Sequence, residues 1–330
     1  MSDQISRPDL EVVRPILTFV DLIAFSGNSD ATRRRFRAAT GISLSRMGID
    51  TIDALTDGAH SVGALATVLD VDLTQVSRQI AALRAAGLVQ KTRSVDDRRS
   101  VDIALTEYGL DALRSWNASY QEQMRQPLDT WQVEEVETFE EFLTTTVERL
   151  EPFLVRQGSS EPLLRDRATR IAVRTSPTRT AVDRCLDAIV ALVDLVGRAH
   201  FDSALRSAGV PLTELEYLVL NDIHALAPTT VGQVTERLDR AQSAVSRAVL
   251  TLETDHLIRR TPDRDRRVRS LTSTEKGAKT IEHIRSSRLT DLVAVYADVP
   301  TPTFSRYAEL TDTYLRELLV DADTAARRYL

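Results

Sequence analysis

The sequence predicts a mostly α-helical protein that carries two small β-hairpins. Three observations lead there. Apolar residues at helical spacing run through most of the chain, strand-like alternation is confined to two short stretches, and both stretches belong to one pattern that recurs 168 residues later. The recurrence sets the domain plan: a first half over residues 1–155, a connector over 156–174 and a second half over 175–330. A period this long marks a duplicated domain, not a solenoid unit of a few tens of residues.

Taken in order, residues 15–38 read as a long helix with Ile16, Phe19, Val20, Ile23 and Phe36 as apolar contacts. Gly27, Asn28 and Ser29 are placed to kink it. Helices over 45–55 and 61–69 follow. Next comes a short amphipathic helix from Asp72, with Val76, Ile80 and Leu83 on one face and Thr74, Gln75, Ser77, Arg78 and Gln79 on the other. Asp72 is a cap, Gln75 three residues on completes a capping box, and Gly87 is a stop signal. Residues 88–93 and the alternating Val101, Ile103 and Leu105 then make a hairpin with a basic tip over 94–99. Long helices over 107–124 and 133–150 close the half, separated by Pro127. The polar, charged stretch 156–174, with Gly158, Ser159, Ser160 and Pro162, reads as the connector.

The second half repeats this order. Helices over 177–208 and 213–224 come first, the latter opened by a Thr213/Glu216 capping box. A short helix over 230–238 precedes the second polar helix, and long helices over 275–296 and 302–319 end the half. Val76-Ser77-Arg78 returns as Val245-Ser246-Arg247, and Gly41 as Gly209. Asp97-Arg98-Arg99 with Leu105-Thr106-Glu107-Tyr108-Gly109 returns as Asp265-Arg266-Arg267 with Ser273-Thr274-Glu275-Lys276-Gly277. The first and last helices of each half exceed what a small domain needs, since a helix advances about 1.5 Å per residue. Their surplus apolar surface predicts a shared helical hub.

A short helix bearing Gln, Ser, Thr and Arg suits the major groove of double-stranded DNA, where base edges offer matching donors and acceptors. A basic hairpin tip suits the backbone or the minor groove. At these residues the chain resembles the MarR family of winged-helix transcription regulators, whose wing pattern is Asp-x-Arg, five residues, then Leu-Thr-x-x-Gly. The first half matches it throughout, and the second departs at Ser273. The resemblance runs over about residues 15–150 and 177–319. It implies two winged helix-turn-helix domains joined through their long terminal helices as a pseudo-dimer within one chain. It also implies recognition helices about 34 Å apart on one face, one DNA turn. The residues expected at DNA are Thr74, Gln75, Ser77, Arg78, Gln79, Asp97, Arg98 and Arg99 in the first half. In the second they are Gln242, Ser243, Ser246, Arg247, Asp265, Arg266 and Arg267. Asp97 and Asp265 inherit a wing-positioning role by resemblance.

The resemblance further implies a repressor released by a small phenolic or aromatic acid. Phe19, Ile23, Trp116 and Tyr120 either line that pocket or are ordinary core. Cys185 is either a buried structural thiol or, as in the peroxide-sensing branch of the family, an oxidisable one. Leu73, Thr74, Gln75 and Gln79 become Gln242, Ser243, Ala244 and Ala248, so the half-sites read are expected to differ. The single chain is expected to act as its own pseudo-dimer, with further pairing of two chains left open.

Composition bounds the alternatives. The chain has 330 residues, room for two ordinary cores, and is 42% hydrophobic. A net charge of −6 argues against binding nucleic acid by overall charge, yet leaves room for local basic faces such as Arg259, Arg260, Arg264 and Arg269. One cysteine rules out an intrachain disulfide, which fits a reducing cytoplasm, and no apolar run approaches a membrane span. The five histidines show no metal-ligand spacing, and no phosphate loop or nucleophile elbow is present. The sequence therefore predicts no enzyme, no metal and no cofactor. The competing function is a protein-interaction adaptor built from winged helices that no longer bind DNA.

Overall fold

The predicted first helix is described on either side of residues 27–29 as α1 (Leu10–Ser26) and α2 (Asp30–Thr40). The computed structural model describes residues 10–26, 30–56, 58, 60–69, 71–93, 101–156, 180–238, 240–262 and 269–319, so 27–29 and the connector fall outside it. The chain divides into two compact units, Asp30–Gln123 and Met1–Ser29 with Met124–Leu330. This partition assigns the first half's opening and closing helices to the unit of the second half.

The Asp30–Gln123 unit is the first winged head. It contains α2, α3 (Arg46–Ala54), β1 (His60–Ser61), α4 (Val62–Leu69), α5 (Leu73–Ala85), β2 (Val89–Arg93), β3 (Val101–Leu105) and most of α6 (Glu107–Arg125). The strands form an antiparallel sheet in the order β1-β3-β2, with Ile103 opposite both Lys91 and His60. The short β1 was not anticipated: at two residues it has no periodicity to read. Beneath the sheet, Ile49, Ile52, Leu65, Val76, Ile80, Leu83, Leu88 and Ile103 form one buried core. Removing each such side chain from water contributes about 1.5–3 kcal/mol.

The other unit joins a helical hub to the second head. After a 3-10 turn (Gln126–Leu128) come α7 (Val133–Arg156) and α8 (Ala181–Ser207). Then follow α9 (Glu214–Leu226), α10 (Val231–Leu238), α11 (Gln242–Thr254), β4 (Ile258–Pro262), β5 (Arg269–Ser273), α12 (Glu275–Val295) and α13 (Thr301–Leu318). Helix α7 packs along α8, and α1 packs against α8, α12 and α13. This is the hub that the surplus helix length predicts, with helices of both halves interlocked.

Aromatic residues, sparse in the chain as a whole, concentrate in the hub. The Phe19 ring lies 5.8 Å from Tyr314 and 6.2 Å from Phe139, and the Phe139 and Tyr314 rings are 4.9 Å apart. Such pairs add about 0.5–1.5 kcal/mol each beyond area burial. The Tyr314 hydroxyl donates to the Met124 carbonyl at 2.8 Å. The hub holds a buried ion pair: Arg288 of α12, 4% exposed, donates through both terminal nitrogens to Asp21 of α1. Burial opposes the arginine's charge, but Asp21 and Tyr217 outweigh it and hold its pKa above the ordinary value. Removing one partner of such a pair leaves a buried charge uncompensated.

Candidate nucleic-acid interface

In the first head, Asp72 caps α5 by accepting from the Gln75 backbone N–H at 2.8 Å. Only this half of the predicted capping box forms. Val76, Ile80 and Leu83 bury their side of α5, which leaves Thr74, Ser77 and Arg78 exposed on the other. Gln75 and Gln79 are half-buried at the edge of that face. The Gln79 side-chain oxygen accepts from the Ser45 hydroxyl at 3.1 Å in an exposed hydrogen bond. Helix α5 ends at Ala85 with Ala86 as its C-cap, and Gly87 follows with φ of +74°, a conformation that costs glycine nothing.

In the second head, Gln242, Ser243, Ser246 and Arg247 are exposed on α11, while Val245, Ala248, Val249 and Leu252 are buried. The cap position is Ala241, with no side-chain bond. The residue equivalent to Gly87 is His256, with φ of +59°. Ahead of α11, Asp222 is fully buried and takes a paired bond from Arg237, 2.9 Å at Nε, and Arg237 also donates to the Thr229 hydroxyl at 2.7 Å.

Each hairpin is locked to its neighbours by one device. Thr106 Oγ1 accepts from the Gly109 N–H at 3.0 Å and donates to the Gly87 carbonyl at 2.6 Å. Thr274 Oγ1 accepts from Gly277 at 3.0 Å and donates to the His256 carbonyl at 2.7 Å. The glycines are required by proximity: a Cβ at Gly109 would lie 2.1 Å from the Leu88 carbonyl oxygen, and one at Gly277 2.1 Å from that of Leu257. The Thr-x-x-Gly pattern is thus a helix cap fused to a close backbone crossing. It stacks each hairpin on the long helix that follows.

The hairpin tips over 94–100 and 263–268 lie outside the described residues. Asp97, Arg98, Arg99, Asp265, Arg266 and Arg267 therefore have no described placement. The strands leading to the tips carry cations that sequence reasoning passed over or counted only as a cluster. Lys91 and Arg93 are exposed on β2, two residues apart and so on one face, and that alternation was legible. Arg259, Arg260 and Arg269 are exposed on the second hairpin. Arg260 pairs with Glu253 of α11 at 2.9 Å, and Arg259 donates to Thr272 across the strands at 3.2 Å. Electrostatics differ beside the two polar helices: α3 has no acid in its first turn, whereas α9 has Glu214 and Glu216.

Of the pocket and thiol candidates, Phe19 and Cys185 are buried, and Trp116 and Tyr120 are half-buried. Phe19 is 1% exposed and enclosed by hub aromatics. The Ile23 side chain lies outside the described residues. Trp116 stacks on Phe36 at 5.6 Å and on Tyr120 at 6.1 Å, against the core of the first head. A hub cavity bounded by Val20, Leu150, Val196, Ser203 and Arg288 has a volume of about 40 Å³, room for water but not for an aromatic acid. Cys185 is fully buried, its thiol donates to the Val136 carbonyl at 3.6 Å, and burial pushes its pKa up to about 12. A sensor thiol, by contrast, needs access and a lowered pKa. Among the described residues no group of three or more His, Cys, Asp or Glu is placed to hold a metal, and no helix is long and apolar enough to cross a membrane.

The MarR family model matches the chain in two regions, residues 54–101 and 212–268. The two matched regions are consistent with two MarR-type copies in tandem. Each match centres on a polar helix and its hairpin: α4, α5 and β2 in one copy, α9, α10, α11 and β4 in the other. In a winged helix-turn-helix, a helix and hairpin in this order are called the recognition helix and wing. Members of the MarR family are DNA-binding transcription regulators rather than enzymes, and a DNA-binding regulator in that general sense is what the match supports. A search of curated proteins finds no match for the chain.

Proposed function

We propose that this tandem MarR protein is a repressor that reads an operator with two unequal half-sites, one per recognition helix. The observation that carries the proposal is the pairing of a repeated scaffold with divergent surfaces. Thr106/Gly109 and Thr274/Gly277 make the same lock, while the exposed faces carry Thr74, Ser77 and Arg78 in one head and Gln242, Ser243, Ser246 and Arg247 in the other. Only Ser-Arg is common to both. A dimer of identical chains presents two identical faces, but a fused chain lets them diverge. Arginine is suited to the O6/N7 pair of guanine, and serine to several base edges, so the helix faces supply direct readout. The exposed arginines of both hairpins supply phosphate contacts, which set register without reading sequence.

Gel-shift assays with duplexes from around the protein's own gene test the proposal. A discrete complex that resists competitor DNA is expected. Binding that weakens alike on every sequence as salt rises, with no preferred duplex, would remove the claim of specific reading. No binding at low salt would favour the adaptor instead.

A further inference from the structure

We infer that Leu250 is a specificity residue of the second head: its side chain reads the 5-methyl group of a thymine in the half-site that α11 addresses. The inference rests on the DNA-reading role proposed above and adds one base to it. Ser243, Ser246, Arg247 and Leu250 follow one another at i, i+3, i+4 and i+7, so they form one row along the helix. All four are exposed, Leu250 to 60%, while Val245, Val249 and Leu252 are buried. A recognition helix lays such a row in the major groove. A lone exposed leucine is ordinary on a protein surface. Its place at the end of a row of serines and an arginine is what carries the inference. The charge around it also suits DNA. Glu253 is the only carboxylate within α11, and Arg260 of β4 pairs with it at 2.9 Å, which offsets its repulsion of phosphate. The first head differs at this place. Its equivalents are Thr74, Ser77, Arg78 and Ala81, all exposed, and the Ala81 side chain stops at Cβ.

The recognition is chemical. Thymine alone among the bases presents a methyl group in the major groove. Contact between that methyl and the leucine removes apolar surface of both from water. A cytosine or adenine at the same place would press its amino group against hydrocarbon that cannot accept its hydrogen bond. Leu250 lies about 4.5 Å further along the helix than Arg247. The thymine is therefore expected one or two base-pair steps, of about 3.4 Å each, from the base that Arg247 contacts.

The test begins with selection from a random duplex library by the full chain. Each thymine of the half-site that Arg247→Ala relaxes is then replaced in turn by deoxyuridine, which removes the methyl group and nothing else. One replacement should weaken wild-type binding about 3–5-fold, the worth of one buried methyl. Leu250→Ala should bind that duplex and its thymine parent alike, with an unchanged unfolding temperature because the side chain is exposed. Leu250→Met should keep the discrimination. Equal wild-type affinity for every uridine duplex, a half-site without thymine, or a uridine penalty that persists in Leu250→Ala would overturn the inference. So would self-association of the chain that Leu250→Ala abolishes, which would make the leucine a protein contact. Each of these results leaves the DNA-reading proposal standing. A wild-type chain that selects no sequence would remove both, so the two failures are distinguishable.

Discussion

In both heads a threonine hydroxyl ties the glycine three residues on to the carbonyl that follows the recognition helix. In one head that carbonyl belongs to Gly87, in the other to His256. The bond is kept and the residue is not. The same contrast runs through the pair. Asp72 caps α5, where Ala241 gives α11 no side-chain bond. A three-stranded sheet in the first head becomes a two-stranded hairpin in the second, with the single bridge Thr229–Leu271 in place of β1. Backbone devices survived duplication because each satisfies groups that are costly to leave unmade. Surface residues and strain-tolerant positions diverged because their individual cost is small.

The comparison can be broken most sharply at the glycines. Gly109→Ala and Gly277→Ala each force a Cβ against a carbonyl oxygen, so either should cost on the order of 3 kcal/mol or more in urea unfolding. Unequal costs, or a tolerated substitution in one head, would show that the two locks are not equivalent. Next come the caps. Asp72→Ala should destabilise by about 1 kcal/mol, and Ala241→Asp should stabilise the second head by a similar amount, because only the first recognition helix now has a side-chain acceptor for its free N–H groups. No gain from Ala241→Asp would mean those N–H groups are already satisfied.

A smaller effect is expected at the turn after each recognition helix. His256→Gly should stabilise by about 0.5–1 kcal/mol, less the added chain entropy of glycine, and Gly87→Ala should destabilise by about 1 kcal/mol, since both positions hold positive φ. Thermal unfolding of the two variants measures this, and a neutral Gly87→Ala would contradict it. The smallest effect is a pH dependence in the second head. Burial first, and then Arg285, hold the pKa of His224 below its ordinary 6.5. As pH falls through 6.5 the unfolded chain takes up a proton before the folded one, so stability declines until the lower folded value is passed. His224→Gln should flatten that decline between pH 7 and 5, and an unchanged pH profile would count against it.

Much of this was legible in the sequence for a physical reason. The repeat could be found because its markers, Thr106/Gly109 and Thr274/Gly277, answer to backbone geometry that admits few substitutes. The recognition helices were legible because one face is buried at helical spacing. The hub was legible only as surplus helix length. Its particulars were not: Asp21 and Arg288 are far apart in sequence, and the Phe19 cluster draws on α1, α7 and α13. Such contacts leave no local periodicity. The bond between Ser45 and Gln79 escaped for a related reason, because each residue already had a sufficient local explanation, one as a cap and one as a polar helix position.

Selection from random duplexes by the full chain tests the central claim most directly. Two non-identical half-sites are expected to emerge, with Arg78→Ala relaxing preference in one and Arg247→Ala in the other, each by about 1–3 kcal/mol at the contacted base pair. A perfect palindrome as the preferred site, with both variants affecting its halves alike, would contradict it.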